Sequence, residues 1–416
     1  MLIQFSFKNY KSFRDETILD LTATRETELS FHVREVSGEK ILPVAIIYGA
    51  NASGKSNVIE ALKWMRSFVL SSLNYGEETK EERYYRPMPF FLDNKSIQEP
   101  TSFEVYFTLP DDDRVFNYGF SLDKEGVVEE WFNQKSRTGR KYSPVFYRTR
   151  SEIDLSGIEA KHRDNLRVAL SGKTLLVSLG AKLNVERLKP VFSFFVNSDI
   201  TNFGDPLENT RLSKMTPYHF SDDESVRKSV VKFLSSFDES IVDFRVEEAI
   251  DQKGAINIDA GHRMNDSENI VFIPFEEESA GTRKMFALYP FIKRMLETGG
   301  TLFVDELNAR LHPLLVRTLV QMFVDPSVNT NNAQLIFTAH DSWQLYNGTF
   351  RRDEIWFTEK KKDGTSSLYS LADFILKEGT SVRWDTNFQK NYLLGKYGAI
   401  PSMKPFDLSN GKRRES

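Results

Sequence analysis

The octet Gly49-Ala50-Asn51-Ala52-Ser53-Gly54-Lys55-Ser56 matches the pattern G-x-x-x-x-G-K-[ST] at every fixed position. The apolar run 44–48 before it reads as a buried strand, and residues 57–65 after it place apolar side chains at helical spacing. Strand, glycine-bearing loop and helix are the setting in which such a loop wraps an anion. Glycines let the backbone curl until its N–H groups face a phosphate, and the helix start adds positive potential at the same point. The octet therefore predicts nucleotide contacts from Gly49, Asn51, Ala52, Ser53, Gly54, Lys55, Ser56 and Asn57. Lys55 is expected to reach the β- and γ-phosphates, and the Ser56 hydroxyl to ligate Mg²⁺. A similar segment, Ser171-Gly172-Lys173-Thr174, has Arg167 where the first glycine belongs and carries no such expectation.

A chain of 416 residues suggests two or three units, one of them discontinuous. With 40% hydrophobic and 27% charged residues it reads as an ordinary soluble globular protein, so the composition favours neither a disordered nor a membrane class. The absence of cysteine excludes disulfides and thiolate metal sites and is compatible with a reducing cytosol. The opening residues alternate in strand fashion without the apolar run of a signal peptide, and no stretch is long and apolar enough to span a bilayer. A cytoplasmic location with no membrane partner is the expectation. The net charge of −4 argues against a globally basic nucleic-acid surface. The 33 phenylalanines are scattered, not repeated, and predict a core rich in aromatic packing.

Residues 3–7 and 17–21 read as the strands of a hairpin. The turn between them brings Tyr10 or Phe13 near the sheet of the phosphate loop, where a ring can stack on adenine or pack in the core; both readings stand. Residues 74–83 form a charged connection expected on the surface. Runs 102–109, 115–122 and 126–132, separated by Asp- and Gly-bearing turns, predict an antiparallel sheet. Asp111, Asp112 and Asp113 are expected as solvated turn residues and not as a metal site. From about 158 to 237 the spacing becomes helical, while 244–250 and 269–275 return to strand character. Loops are expected at 251–254 and from Gly261 and His262 to Asp266. The organisation expected is α/β: 1–157 and 241–416 as the two parts of one phosphate-loop domain, and 158–240 as a helical insertion.

Thr301-Leu302-Phe303-Val304-Asp305-Glu306 is an apolar strand ending in two adjacent carboxylates. Beside a phosphate loop, Asp305 is expected to hold Mg²⁺ directly or through water, and Glu306 to orient or deprotonate the attacking water. Upstream, Glu278-Ser279-Ala280-Gly281-Thr282-Arg283-Lys284 leads into a helical pattern. Small and hydroxyl residues at a helix start suit an anion, and they are equally an ordinary N-cap. Downstream, 334–339 is another buried strand. His340 stands just past its C-terminal end, where α/β sheets place their ligands. Runs 354–358 and 367–371 flank Lys361-Lys362-Asp363-Gly364-Thr365 and predict a closing hairpin. The basic tail 411–414 is expected to be solvated.

The order of these motifs (phosphate loop, Ser-x-Gly-x-x-(Arg/Lys), apolar strand with Asp-Glu, strand-Thr-x-His) resembles the ABC-class ATPases, including the SMC/RecF group. Nearly the whole chain resembles the stand-alone ABC-like ATPases of prokaryotic phage-defence and abortive-infection systems, which are related to the overcoming-lysogenisation-defect nucleases. Phe5-x-Phe-Lys-Asn-Tyr-Lys-Ser-Phe, Glu278-Ser-Ala-Gly-Thr, Asp305-Glu-Leu through Leu311-His312-Pro313 and Asp353-Glu-Ile-Trp-Phe carry the likeness. The resemblance implies an ABC-type P-loop ATPase core with an antiparallel β subdomain and a helical insertion, using ATP and Mg²⁺. It implies that Ser279, Gly281, Thr282 and Arg283 form a signature acting in trans, that Asn308 to Pro313 form a D-loop region, and that His340 is a switch histidine serving catalysis with Glu306. It further implies a homodimer or higher oligomer closed by an ATP sandwich, a separate effector (nuclease or toxin) and a phage-encoded trigger. Ala280 and Thr282 depart from the Gly and Gln of transporter-type members. No Asp-x-Asp cluster with the upstream glutamate of a fused Toprim nuclease is found, so any nuclease is expected as a separate protein. The alternative is a RecF/SMC-like DNA-repair or chromosome-associated ATPase that clamps nucleic acid. The acidic net charge and the lack of a long heptad-patterned coiled coil stand against it.

Overall fold

The computed structural model describes residues 1–75, 87–213, 215–248, 256–265, 267–346, 348–376 and 379–400. The expected surface connection beyond Tyr75, the loop at 251–254, Asp266 and the basic tail lie outside them. Around helix α1 (Lys55–Ser71) are two sheets. One is antiparallel and ordered β10-β9-β8-β7-β6-β1-β2. Its strands are β1 (Leu2–Lys8), β2 (Thr17–Asp20), β6 (Thr101–Phe107), β7 (Arg114–Leu122), β8 (Val127–Ser136), β9 (Ser143–Thr149) and β10 (Ile153–Asp154). The first hairpin and β6 to β8 stand as the alternating patterns predict, whereas β9 and β10 were not anticipated. A small hairpin, β3 (Arg34–Val36) with β4 (Glu39–Ile41), precedes the central sheet.

That central sheet is ordered β11-β15-β16-β5-β17-β18. It comprises β5 (Val44–Gly49), β11 (Ser198–Asn202), β15 (Thr301–Asp305), β16 (Gln334–Thr338), β17 (Ile355–Lys360) and β18 (Ser366–Ser370), all parallel except the antiparallel β17–β18 hairpin. Strands covered on both faces need continuous apolar runs, and every residue of β5, β15 and β16 is buried. Alternate β5 side chains serve different cores. Ala45 and Ile47 face the core shared with α1 and the antiparallel sheet, while Val44, Ile46 and Tyr48 face a second core. The first core is built of rings: Trp64 stacks on Phe103 at 5.2 Å and on Phe68 at 5.1 Å, each pair adding about 0.5–1.5 kcal/mol beyond simple burial.

The second core lies under α7 (Glu224–Leu234), α8 (Ala280–Thr298), α9 (Pro313–Val324), α10 (Phe388–Leu393) and the sheet β12 (Ile241–Glu248), β13 (Ile256–Arg263), β14 (Ile270–Pro274). Short helices α2 (Asn94–Gln98), α3 (Ala160–Ala169), α4 (Leu176–Lys182), α5 (Lys189–Val196) and α6 (Pro206–Ser213) complete the chain. The stretch expected to be helical over 158–240 thus also contains β11, which pairs with β15 at the edge of the central sheet. Gly261 and His262, expected in a loop, lie within β13. A Cβ on Gly261 would sit 3.0 Å from the Phe272 ring, so the glycine makes room for a cross-strand aromatic.

Gln334 joins the two sheets. Its amide donates to the Leu2 and Leu42 carbonyls and accepts from the Leu2 N–H and the Thr301 hydroxyl, with no exposure to solvent. Asp353 and Glu354, part of the motif before β17, are structural: Asp353 pairs both oxygens with the buried Arg351 guanidinium, and Glu354 meets His32 at 2.9 Å.

Candidate active site

β5 ends at Gly49, and α1 begins at Lys55, so the phosphate loop occupies the turn between them. The two glycines are required by crowding. A Cβ on Gly49 would fall 2.4 Å from the Ser53 and Thr358 hydroxyls, and one on Gly54 (φ +112°) 2.8 Å from Ser366 and 3.0 Å from the Phe13 ring. Phe13 therefore underlies the loop as packing, fully buried, and Tyr10 stacks edge-on to Phe7 and Phe103; neither offers a face to a base. Lys55 is buried, and its ammonium donates to the Gly49 and Ala50 carbonyls at 2.8 and 3.0 Å. Burial pushes its pKa down, while Asp305 and Glu306 oppose that shift. Gly49 through Ser53 line a cleft of about 860 Å³ with His340, Thr358 and Tyr392. Asn57 instead donates to the Ser12 hydroxyl and ties α1 to the first hairpin turn.

Asp305, at the end of β15, is 2% exposed. Burial pushes its carboxyl up, and hydroxyl bonds from Thr338 and Ser56 pull it back. Ser56 and Asp305 thus influence each other, and two hard oxygen donors so placed suit Mg²⁺ completed by phosphate oxygens and water. Thr338 is a hinge in this network, because its hydroxyl donates to Asp305 at 2.6 Å and accepts the Glu306 N–H at 2.8 Å. Glu306 takes a left-handed φ of +57° and turns its carboxylate to His340 Nε2, 2.9 Å away. A carboxylate fixed by an imidazole at the mouth of a phosphate loop can accept a proton from water.

Two further residues, Gly204 and Lys284, hold Glu306. A Cβ on Gly204, in the turn after β11, would lie 2.5 Å from the Glu306 carboxyl carbon, so that turn is cut to fit the carboxylate. Lys284, on α8, donates to the Glu306, Leu307 and Ala309 carbonyls. Gly204 has no sequence signal because its role depends on β11, and Lys284 ends the Ser-x-Gly-x-x-(Arg/Lys) segment without a role assigned to it there.

Ser279 caps α8: its hydroxyl accepts the Thr282 N–H at 3.1 Å and meets the Thr282 hydroxyl at 2.8 Å. Gly281 faces the Arg310 carbonyl, to which a Cβ would come within 3.3 Å. Arg283 lines a separate cavity of about 350 Å³ with Lys284, Arg310, Phe203 and Gly204. The structure thus joins Asp305, Glu306 and His340 through Thr338, while Ser279, Gly281, Thr282 and Arg283 lie at the start of α8. Asn308 donates to Asp341 at 2.7 Å and links the loop after β15 to the segment after His340. Asp112 pairs with Arg114, as a turn residue does. Among the described residues no helix is long and apolar enough to cross a membrane.

A family model described as "AAA domain, putative AbiEii toxin, Type IV TA system" matches residues 44–342. No curated protein matches the chain. Similar solved structures include an Smc head bound to the C-terminal winged-helix domain of ScpA, at 15% identity and a TM-score of 0.44, covering 89% of this chain and 97% of that one. Another is an Smc head with an extended coiled coil bound to the C-terminal domain of ScpA, derived from Pyrococcus furiosus, at 15% identity and a TM-score of 0.43, covering 89% and 96%. A third is the recombination mediator RecF with ATP, at 12% identity and a TM-score of 0.32, covering 88% and 97%.

Proposed function

The chain belongs to the family described as AAA domain, putative AbiEii toxin, type IV toxin–antitoxin system, and from that premise we propose an ATPase of anti-phage defence. It binds ATP with Mg²⁺, hydrolyses it in the cytoplasm, and acts as a sensor or scaffold that controls a separate effector, a nuclease or toxin, on a phage-encoded trigger. The observation that carries this reading is the chain of hydrogen bonds from Asp305 through Thr338 to Glu306 and His340, beside the phosphate loop.

Ser56 and Asp305 would hold Mg²⁺, which when bound would supply charge neutralisation at the phosphates. Lys55 exchanges its two carbonyl partners for phosphate oxygens. Glu306 orients water and takes its proton, and His340 fixes the carboxylate and faces the γ-phosphate. Ser279, Gly281, Thr282 and Arg283 complete the site of a second copy in a sandwiched dimer or higher oligomer; their place at the start of α8, where N–H groups suit an anion, supports this.

The test is ATP turnover by the purified chain, with nucleotide affinity measured alongside. Lys55→Ala should lose binding, and Glu306→Gln should bind ATP with Mg²⁺ yet turn over at least ~100-fold more slowly. Unchanged affinity in the first variant or unchanged turnover in the second overturns the assignment. Protection against phage that survives Lys55→Ala would remove the link between the nucleotide and defence.

A further inference from the structure

Lys284 is 6% exposed, and its ammonium donates to three carbonyls of one loop: Glu306 at 3.0 Å, Leu307 at 2.7 Å and Ala309 at 2.8 Å. The ring of Phe203, beside the Gly204 turn, lies 4.4 Å from the nitrogen. An ammonium has three hydrogens, and here each has its own acceptor. The loop has a matching need. Carbonyl dipoles that converge on one point repel one another, and the loop holds two non-glycine residues at left-handed φ, Glu306 at +57° and Arg310 at +62°. Something must hold that conformation, because it directs the Glu306 carboxylate toward His340.

We propose that Lys284 is a positioning residue for Glu306: it gathers the loop after β15 around one cation, ties that loop to α8, and so fixes the carboxylate that acts on water. The role rests on the ATPase reading for its catalytic consequence but not for its structural one. It also joins the helix that begins at Ser279 to the residue that ends β15. Whatever meets the start of α8 is felt at Glu306 through one side chain.

The groups that face the ammonium are the Glu306 carboxylate, which favours its charge, and the Arg310 guanidinium, which opposes it. Burial dominates and brings the pKa down to about 7. A neutral amine keeps only two hydrogens and turns a lone pair toward the third carbonyl. Glu306 should therefore be aimed best below neutral pH and less well above it.

The experiment compares wild type, Lys284→Met and Lys284→Arg by hydrogen exchange, nucleotide titration and pH-dependent ATP turnover. Lys284→Met keeps the side-chain length and removes the charge. Its amides at 306–310 should exchange at least tenfold faster while those of 49–56 stay unchanged, and kcat should fall at least tenfold with the Kd for ATP within threefold of wild type. Lys284→Arg should recover part of kcat, and it should lose the decline in kcat that wild type shows as pH rises through about 7. Unchanged exchange at 306–310 overturns the proposal whether or not the protein hydrolyses ATP. A parallel loss of Kd and kcat overturns it by making Lys284 a general support of the fold. Wild type that binds ATP but never turns it over removes the ATPase reading alone, and the exchange data then still decide whether Lys284 holds the loop.

Discussion

At the scale of single residues, the site depends on side chains with one place to go. The Glu306 carboxylate sits between His340 and the bare Cα of Gly204. Gly204→Ala should displace it without touching the phosphate loop, lowering kcat ~10- to 100-fold at unchanged ATP affinity; equal turnover would show that the turn after β11 yields freely. Asp305 gives a pH-dependent case. Burial holds its folded pKa above the ordinary value, so the ionised form strains the fold at neutral pH, and the strain is relieved as pH falls through the folded pKa. Without nucleotide, Asp305→Asn should melt at higher temperature than wild type at pH 7, and the gap should shrink on acidification. Mg²⁺-dependent ATP binding should weaken in the same variant. A melting temperature that drops at pH 7 would mean that the Thr338 and Ser56 hydroxyl bonds outweigh burial.

At the scale of elements, what could be read in the sequence follows how each element is stabilised. β5, β15 and β16 announce themselves because strands buried on both faces must be apolar throughout, and the phosphate loop is legible because its backbone geometry demands named residues. Ser198-Asp199-Ile200-Thr201-Asn202 has no such run. It is a strand only because β15 offers it an edge, so the Gly204 turn that it places was invisible too. Gly261 and His262 read as loop, and what places them in β13 is the pairing with β14, where Gly261 makes room for Phe272. Ser279 shows one residue with two readings. As an N-cap it can be replaced by Asp at a cost within ~1 kcal/mol, whereas a carboxylate facing the γ-phosphate of a second copy is repelled. Ser279→Asp should therefore keep its melting temperature within a few degrees and lose nearly all hydrolysis. Retained hydrolysis would mean that no phosphate reaches the start of α8.

At the scale of the whole molecule, the proposed sandwich makes each site the property of two chains. Lys55→Ala subunits and Gly281→Glu subunits should each be inactive. Mixed together they should regain part of the activity, since a heterodimer holds one intact loop opposite one intact signature. Activity that stays absent despite demonstrated subunit exchange would mean that the two sites fire only together, or that the signature serves its own chain. The arrangement of the central sheet also has a history in time. β5 lies between β16 and β17, with Val44 opposite Leu335 and Ile46 opposite Ile355, so the strand that carries the phosphate loop finds its neighbours only after most of the chain has been made. Pairings this distant in sequence close slowly, and until they close an apolar segment stands bare. The loop is among the earlier parts synthesised and among the last completed, so on the proposed reading the nascent chain should stay silent toward nucleotide until the strand after His340 has emerged.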